Sequence, residues 1–138
     1  MAAKTSGGCA CGAIRYETEA EPILMLNCHC RDCQRASGGP YAAVTVFPVA
    51  ALRLSGQPRY HRIVGNIGKA VDRGFCTNCG TPVTVKLERL SEAIGVFAGS
   101  LDDPTSYKPS MEIFTSRTHA WVIMLPETKK LPQGIPLG

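Results

Sequence analysis

The stretch Cys28-His29-Cys30-Arg31-Asp32-Cys33 puts three thiols into six consecutive residues. Cys9-Ala10-Cys11 precedes it and Cys76-Thr77-Asn78-Cys79 follows, and the three clusters use all seven cysteines of the chain. Cys-x-Cys and Cys-x-x-Cys spacing lets two sulfurs of one turn face one ion, so the pattern points to metal–thiolate chemistry and to zinc first. Cys11-Gly12 and Cys79-Gly80 each place a glycine after the second thiol, where a knuckle must turn tightly. Two knuckles make a closed four-sulfur site, which is structural because no position is left for a substrate. Cys28, Cys30 and Cys33 would then hold an ion with its fourth position open, the mark of a catalytic zinc. Spacing alone leaves the pairing open, and Cys9 and Cys11 can equally share an ion with the central cluster.

Composition sets the frame for this reading. A chain of 138 residues, 44% of them apolar, is the size of a single domain with a real core. Its 14 glycines and 10 prolines favour short strands and tight turns over a helical bundle. Met1 to Gly8 lacks the apolar stretch of a signal peptide, and no apolar run is long enough to span a membrane. The expected location is therefore the cytoplasm, where a disulfide framework is disfavoured. The formal charge is +4 with neutral cysteines. A zinc on four thiolates carries −2 and one on three carries −1, so the loaded chain would sit near +1. That charge, with no dense Lys/Arg stripe, argues against nucleic acid as a partner.

Around the clusters the pattern is mainly β. Ile14 and Tyr16 alternate with Arg15 and Glu17, which predicts a half-buried strand within Gly12–Thr18. Ile23–Leu26 and Tyr41–Phe47 read as further strands, with a short helix over Arg31–Ser37 stopped by Gly38-Gly39-Pro40. Leu52–Leu54, Arg59–Val64, Lys69–Phe75, Val83–Leu87, Ala93–Ala98 and Met111–Phe114 follow, with Trp121–Leu125 as a candidate last strand. Gly65-Asn66-Ile67-Gly68 reads as a hairpin turn, and Lys129-Lys130 as part of a solvated tail. Eight to ten short strands result, with no repeat and no second domain.

Four stretches together resemble one known family. They are Gly7-Gly8-Cys9-Ala10-Cys11-Gly12, Cys28 through Gly38, Gly74-Phe75-Cys76-Thr77-Asn78-Cys79-Gly80, and Gly99-Ser100-Leu101-Asp102-Asp103-Pro104. They are similar to the glutathione-dependent formaldehyde-activating enzymes, a group that also contains the centromere protein V domain. The resemblance covers a core of about residues 5–121 of a single domain 1–138, with 122–138 as a C-terminal tail. It implies a zinc-bearing β-tent fold of short antiparallel strands, like that of the methionine sulfoxide reductase B group. It also implies a structural zinc on Cys9, Cys11, Cys76 and Cys79, and a catalytic zinc on Cys28, Cys30 and Cys33. The implied reaction is a carbon–sulfur lyase reaction joining a small thiol, glutathione, to an aldehyde such as formaldehyde.

Other residues stand beside the thiols as candidates. Arg31 and Arg35 stand four apart on the short helix and can hold a substrate carboxylate, with Ser37 shaping the pocket wall. A solvated helix face is the plainer reading of both arginines. His29 lies between two ligands, so its side chain is expected to point away from theirs, with a proton-carrying role as the sharper alternative. His61 and His119 are not expected to be ligands. Trp121 reads as a core residue, and Asp102-Asp103 as a turn rather than an acid–base pair. The rival functional classes are a non-catalytic zinc module that binds protein or nucleic acid, and redox chemistry at Cys33. The oligomeric state is not legible in the sequence.

Overall fold

The computed structural model describes residues 4–65 and 68–136. Among them are β1 (Thr5–Gly8), β2 (Arg15–Thr18), β3 (Leu24–Cys28), α1 (Arg31–Ser37), β4 (Ala42–Pro48), β5 (Arg53–Ser55) and β6 (Arg59–Val64). They continue with β7 (Ala70–Phe75), β8 (Pro82–Leu87), β9 (Ala93–Phe97), β10 (Met111–Ile113) and β11 (Lys129–Lys130), and short 3-10 turns fill several connections. The fold is mainly β, as the patterning predicts. A small sheet has the order β1-β2-β5, and a large one runs β11-β10-β3-β4-β9-β8-β7-β6. Pairing is antiparallel except at one edge, where β10 lies parallel to both β3 and β11.

Side chains alternate across the large sheet, and at its central strands both faces are apolar. Phe47 on β4, Val83 on β8 and Val96 on β9 are fully buried and meet Ile14 and Tyr16 from the small sheet's side. This is the main core, and each such fully buried side chain contributes about 1.5–3 kcal/mol. The Tyr16 hydroxyl is satisfied there by Ser100 Oγ at 2.7 Å, which itself donates to the Phe97 carbonyl. The opposite face carries Leu26 and Cys28 from β3, Val44 from β4 and Val85 from β8. The near-continuous apolar run Ala42–Phe47 is the sequence signature of a strand covered on both sides.

Three expectations change. Trp121–Leu125 is not a strand, and Trp121 is not a core residue: it is 70% exposed and stacks on His119, with ring centroids 5.1 Å apart. Pro126 and the connection's own turns leave this segment without a ladder partner. Lys129-Lys130 is not a free tail but β11, paired to β10 through its main chain while its side chains stay exposed. A two-residue strand is too short to show alternation, so nothing in its side chains announces it. The strand Thr5–Gly8 was also not foreseen, because Ser6-Gly7-Gly8 has the composition of a turn. Gly7 is required there: a Cβ would fall 2.3 Å from the Tyr16 hydroxyl. Asn66 and Ile67 of the expected hairpin turn lie outside the described residues, although β6 and β7 pair antiparallel on either side.

Candidate metal centres

The first cluster is built where the two sheets meet. The chain leaves β1 at Cys9 and turns back through Gly12, whose φ of 82° is left-handed, and the Gly12 N–H donates to the Cys9 carbonyl at 3.1 Å. It leaves β7 at Cys76 and makes the same turn through Gly80, with φ 79° and a 2.8 Å bond from the Gly80 N–H to the Cys76 carbonyl. The Ala10 N–H donates to Thr81 Oγ1 at 3.1 Å, which ties the two knuckles together.

Cys9, Cys11, Cys76 and Cys79 thereby bring their sulfurs within 4.8 Å of one another. Cys9–Cys11 and Cys11–Cys76 are each 3.7 Å. A tetrahedron of 2.3 Å Zn–S bonds has sulfurs about 3.8 Å apart. The group can therefore hold a metal ion, and the alternative pairing of Cys9 and Cys11 with the central cluster is not the one the fold makes. The thiolate form is favoured at Cys79 and Cys9 and disfavoured at Cys76, where the Cys79 and Asn78 main-chain N–H groups are outweighed by burial and the protons shared with Cys79 and Cys9. Hydrogen bonds from the Thr81 side chain and the Thr81 and Cys11 main chain bring Cys79 down to about 5. Burial opposes the Cys9 thiolate, but the Ile14 N–H and the Cys11 and Cys76 thiols outweigh it and lower its pKa.

The second cluster lies on the face of the large sheet opposite the main core, where β3 leads into α1. Cys28 is the last residue of β3, Cys30 is the N-cap of α1, and Cys33 lies in its first turn. Their sulfurs are all within 4.8 Å of one another, so three donors converge on one point. The Cys33 N–H donates to Cys30 Sγ at 3.3 Å. Hydrogen bonds from the Cys28 and Cys33 thiols, then that N–H and the charge of Arg73, hold Cys30 far below the usual thiol range. Cys28 is correspondingly raised, chiefly because its proton is shared with Cys30.

Arg73 is the residue that the sequence reading missed. It projects from β7 and its Nη2 lies 3.5 Å from Cys33 Sγ. Among the described residues no carboxylate lies within salt-bridge distance of it. The available signal was alternation: Val71 and Arg73 share a face of β7, so a charge stands in an otherwise apolar, inward-facing row. Both lie on the wall of a cavity of about 230 Å³ that opens over Cys28, Cys30 and Cys33.

The other expected site residues fall elsewhere. Arg31 and Arg35 are exposed on α1 and do not line the cavity. Arg31 Nη1 donates to the Gln34 amide oxygen, and buried Gln34 pins α1 by donating to the carbonyls of His29 at 2.7 Å and Arg117 at 3.2 Å. Ser37 closes the helix, donating to the Tyr41 carbonyl at 3.0 Å and accepting from the Gly39 N–H. His29 is fully buried and turns away from the thiols toward Glu112, with Nε2 2.9 Å from Oε1. Thr128 donates to the other Glu112 oxygen at 2.6 Å. Burial pushes the Glu112 carboxyl up, but Thr128, His29 and Asn27 outweigh it and lower its pKa. His61 is exposed, and His119 pairs with Gln34 at 2.8 Å. Asp102 accepts from Ser6 at 2.7 Å and from Arg15, while Asp103 caps the Thr105 N–H, so the two carboxylates do diverge.

These features define a small β-sheet protein with two thiol clusters, each able to hold a metal ion. The chain belongs to the glutathione-dependent formaldehyde-activating enzyme family, whose profile matches residues 4–117. A Halomonas elongata protein named "Putative glutathione-dependent formaldehyde-activating enzyme" is 27% identical over 108 residues, covering 75% of this chain and 69% of its own. The crystal structure of a Rhodobacter sphaeroides protein superposes with a TM-score of 0.56 at 22% identity, over 70% of this chain and 87% of that one, a likeness of fold. Among the described residues no helix is long and apolar enough to cross a membrane.

Proposed function

We propose that the chain is a zinc-dependent lyase of the carbon–sulfur class, adding a small thiol, glutathione by family, to an aldehyde such as formaldehyde. The observation that carries this reading is the convergence of three thiols, with Arg73 beside them, at the base of a cavity. A closed site needs four protein ligands, and three leave one position free. A zinc ion on Cys28, Cys30 and Cys33 supplies a site that lowers the pKa of an incoming thiol. Cys9, Cys11, Cys76 and Cys79 would hold a structural zinc.

The chain's own groups do the rest. Arg73 balances the negative charge of the thiolates and can donate to the oxygen that gains charge as sulfur attacks the carbonyl carbon. The carbon–sulfur bond forms as the carbonyl π bond breaks, and the thiol proton ends on that oxygen. The Gln34 and Glu112 networks fix the Cys28–Cys33 loop, so the three sulfurs need no rearrangement at the moment of reaction. A non-catalytic zinc module would need no cavity over its thiols, which weighs against that alternative.

The test is metal content and rate together. Two zincs per chain in the wild type, one in Cys33→Ser, and loss of accelerated S-hydroxymethylglutathione formation in that folded variant support the reading. Equal rates in the two proteins would sink it.

A further inference from the structure

We propose that the cavity over the three thiols is a subsite for the apolar body of an aldehyde larger than formaldehyde, an aliphatic aldehyde of medium chain length. This rests on the lyase reading for its chemistry and on the cavity for its selectivity.

The cavity is too large for a one-carbon substrate. Its 230 Å³ equals the share of about eight water molecules at about 30 Å³ each. Its wall is also of the wrong kind for water or for formaldehyde hydrate. Val44 and Val46 from β4, Val71 from β7, Val85 and Leu87 from β8, and Ala93 from β9 present hydrocarbon only. Water placed against such a wall lacks the two to four polar partners it needs. The floor is tight rather than porous: a Cβ at Gly95 would meet the Val44 and Val85 methyls at 2.6 and 2.7 Å.

Polarity is confined to one end and to the opening. Cys28, Cys30, Cys33 and Arg73 form the reactive end. The remaining charged lining groups are exposed Lys69, which borders the opening, and half-buried Arg89 and Asp32, the last next to Cys33 in sequence. Glutathione is a charged tripeptide that gains nothing from hydrocarbon, and its carboxylates fit the Lys69 cation at the opening. The apolar wall is left to the carbonyl partner. In the reaction the thiol sulfur bonds to the aldehyde carbon, the carbonyl π bond breaks, and the thiol proton passes to the oxygen, which Arg73 faces. No oxidant or reductant is needed.

The test compares ethanal, butanal and hexanal with glutathione on the zinc-loaded full chain, each rate divided by its uncatalysed rate. The acceleration should rise about fourfold per added methylene until the cavity is full. Ala93→Phe and, independently, Val71→Phe fill the cavity without touching the thiols; either should flatten the rise while changing formaldehyde acceleration less than twofold. Acceleration that is flat or falling with chain length in the wild type overturns the proposal. A binding arm separates this failure from that of the lyase reading. Butan-1-ol and hexan-1-ol, which cannot react, should shift the Val44, Val46 and Val85 methyl resonances saturably, and Ala93→Phe should abolish the shift. If no aldehyde is accelerated but the alcohols bind there, the lyase reading falls and the apolar subsite stands. Without methyl shifts up to the solubility limit of hexan-1-ol, the subsite is overturned.

Discussion

The two cysteine clusters are made from the same chemistry but are built differently. Cys11 and Cys79 are exposed, yet their cluster is closed, with two glycine turns and Thr81 wrapping main chain around the four sulfurs. Cys28 and Cys30 are buried, yet their cluster is open, because only three sulfurs converge and the space beyond them is a cavity. Exposure of the sulfurs thus does not follow how closed the cluster is. What separates a staple from a reactive centre is the count of donors and what faces the missing one.

The largest effect that would break this comparison is at the staple. Cys79→Ser should lose its metal and any cooperative thermal transition, because structural zinc contributes on the order of 10 kcal/mol, comparable to the whole stability of a domain. Circular dichroism with metal analysis checks it; a cooperative Cys79→Ser protein would mean the first cluster is not a staple. Cys33→Ser should do the reverse, keeping the transition and losing about a hundredfold or more in rate. Next in size is Arg73→Gln, which should leave melting within a degree or two and lower the rate about tenfold to a hundredfold, the weight of one charge-assisted hydrogen bond. Equal rates in Arg73→Gln and wild type would remove the cation from the reactive end.

Glu112→Gln sharpens how the open cluster is held. It keeps the shape but loses the charge that His29 and Thr128 bond, and should cost about 1–3 kcal/mol in denaturant unfolding. The smallest effect is at the surface, where Arg15 and then Ser6 hold the Asp102 carboxyl down to about 2. A depressed carboxylate adds stability that is full above its unfolded pKa near 4 and lost as pH falls toward 2. The melting difference between wild type and Asp102→Asn should therefore be small at pH 6 and vanish near pH 2. A difference that persists at pH 2 would mean the charge is not its source.

Much of the frame was legible because its signals are local. Alternation located Ile14 and Tyr16, the apolar run located β4, and Gly38 marked the end of α1, where it sits with φ 74°. Cys-x-x-Cys-Gly announced its own turn. What was not legible depends on groups far apart in sequence. Arg73 meets Cys33 across 40 residues, and Glu112 meets His29 across 83, with no spacing rule to predict either. Arg31 and Arg35 drew attention by standing near the thiols in sequence, but Gln34 turns toward the protein and leaves them on the outer side of the helix. Trp121 was assigned to the core by residue type alone, and its neighbours Pro126 and exposed Ile123 offered no ladder to carry it there.

The segment after residue 117 lies beyond the family match, yet it returns to the reactive end. Leu131 donates its N–H to the Glu112 carbonyl, Phe114 donates to the Gln133 carbonyl, and Ile135 joins Phe114 on the cavity wall. One residue of the cavity wall, Ile135, therefore comes from a stretch of chain separate from both the thiols and the valines of β4, β7 and β8. In the proposed reaction a change at Ile135 can alter what the cavity admits while the thiols and Arg73 are left as they were.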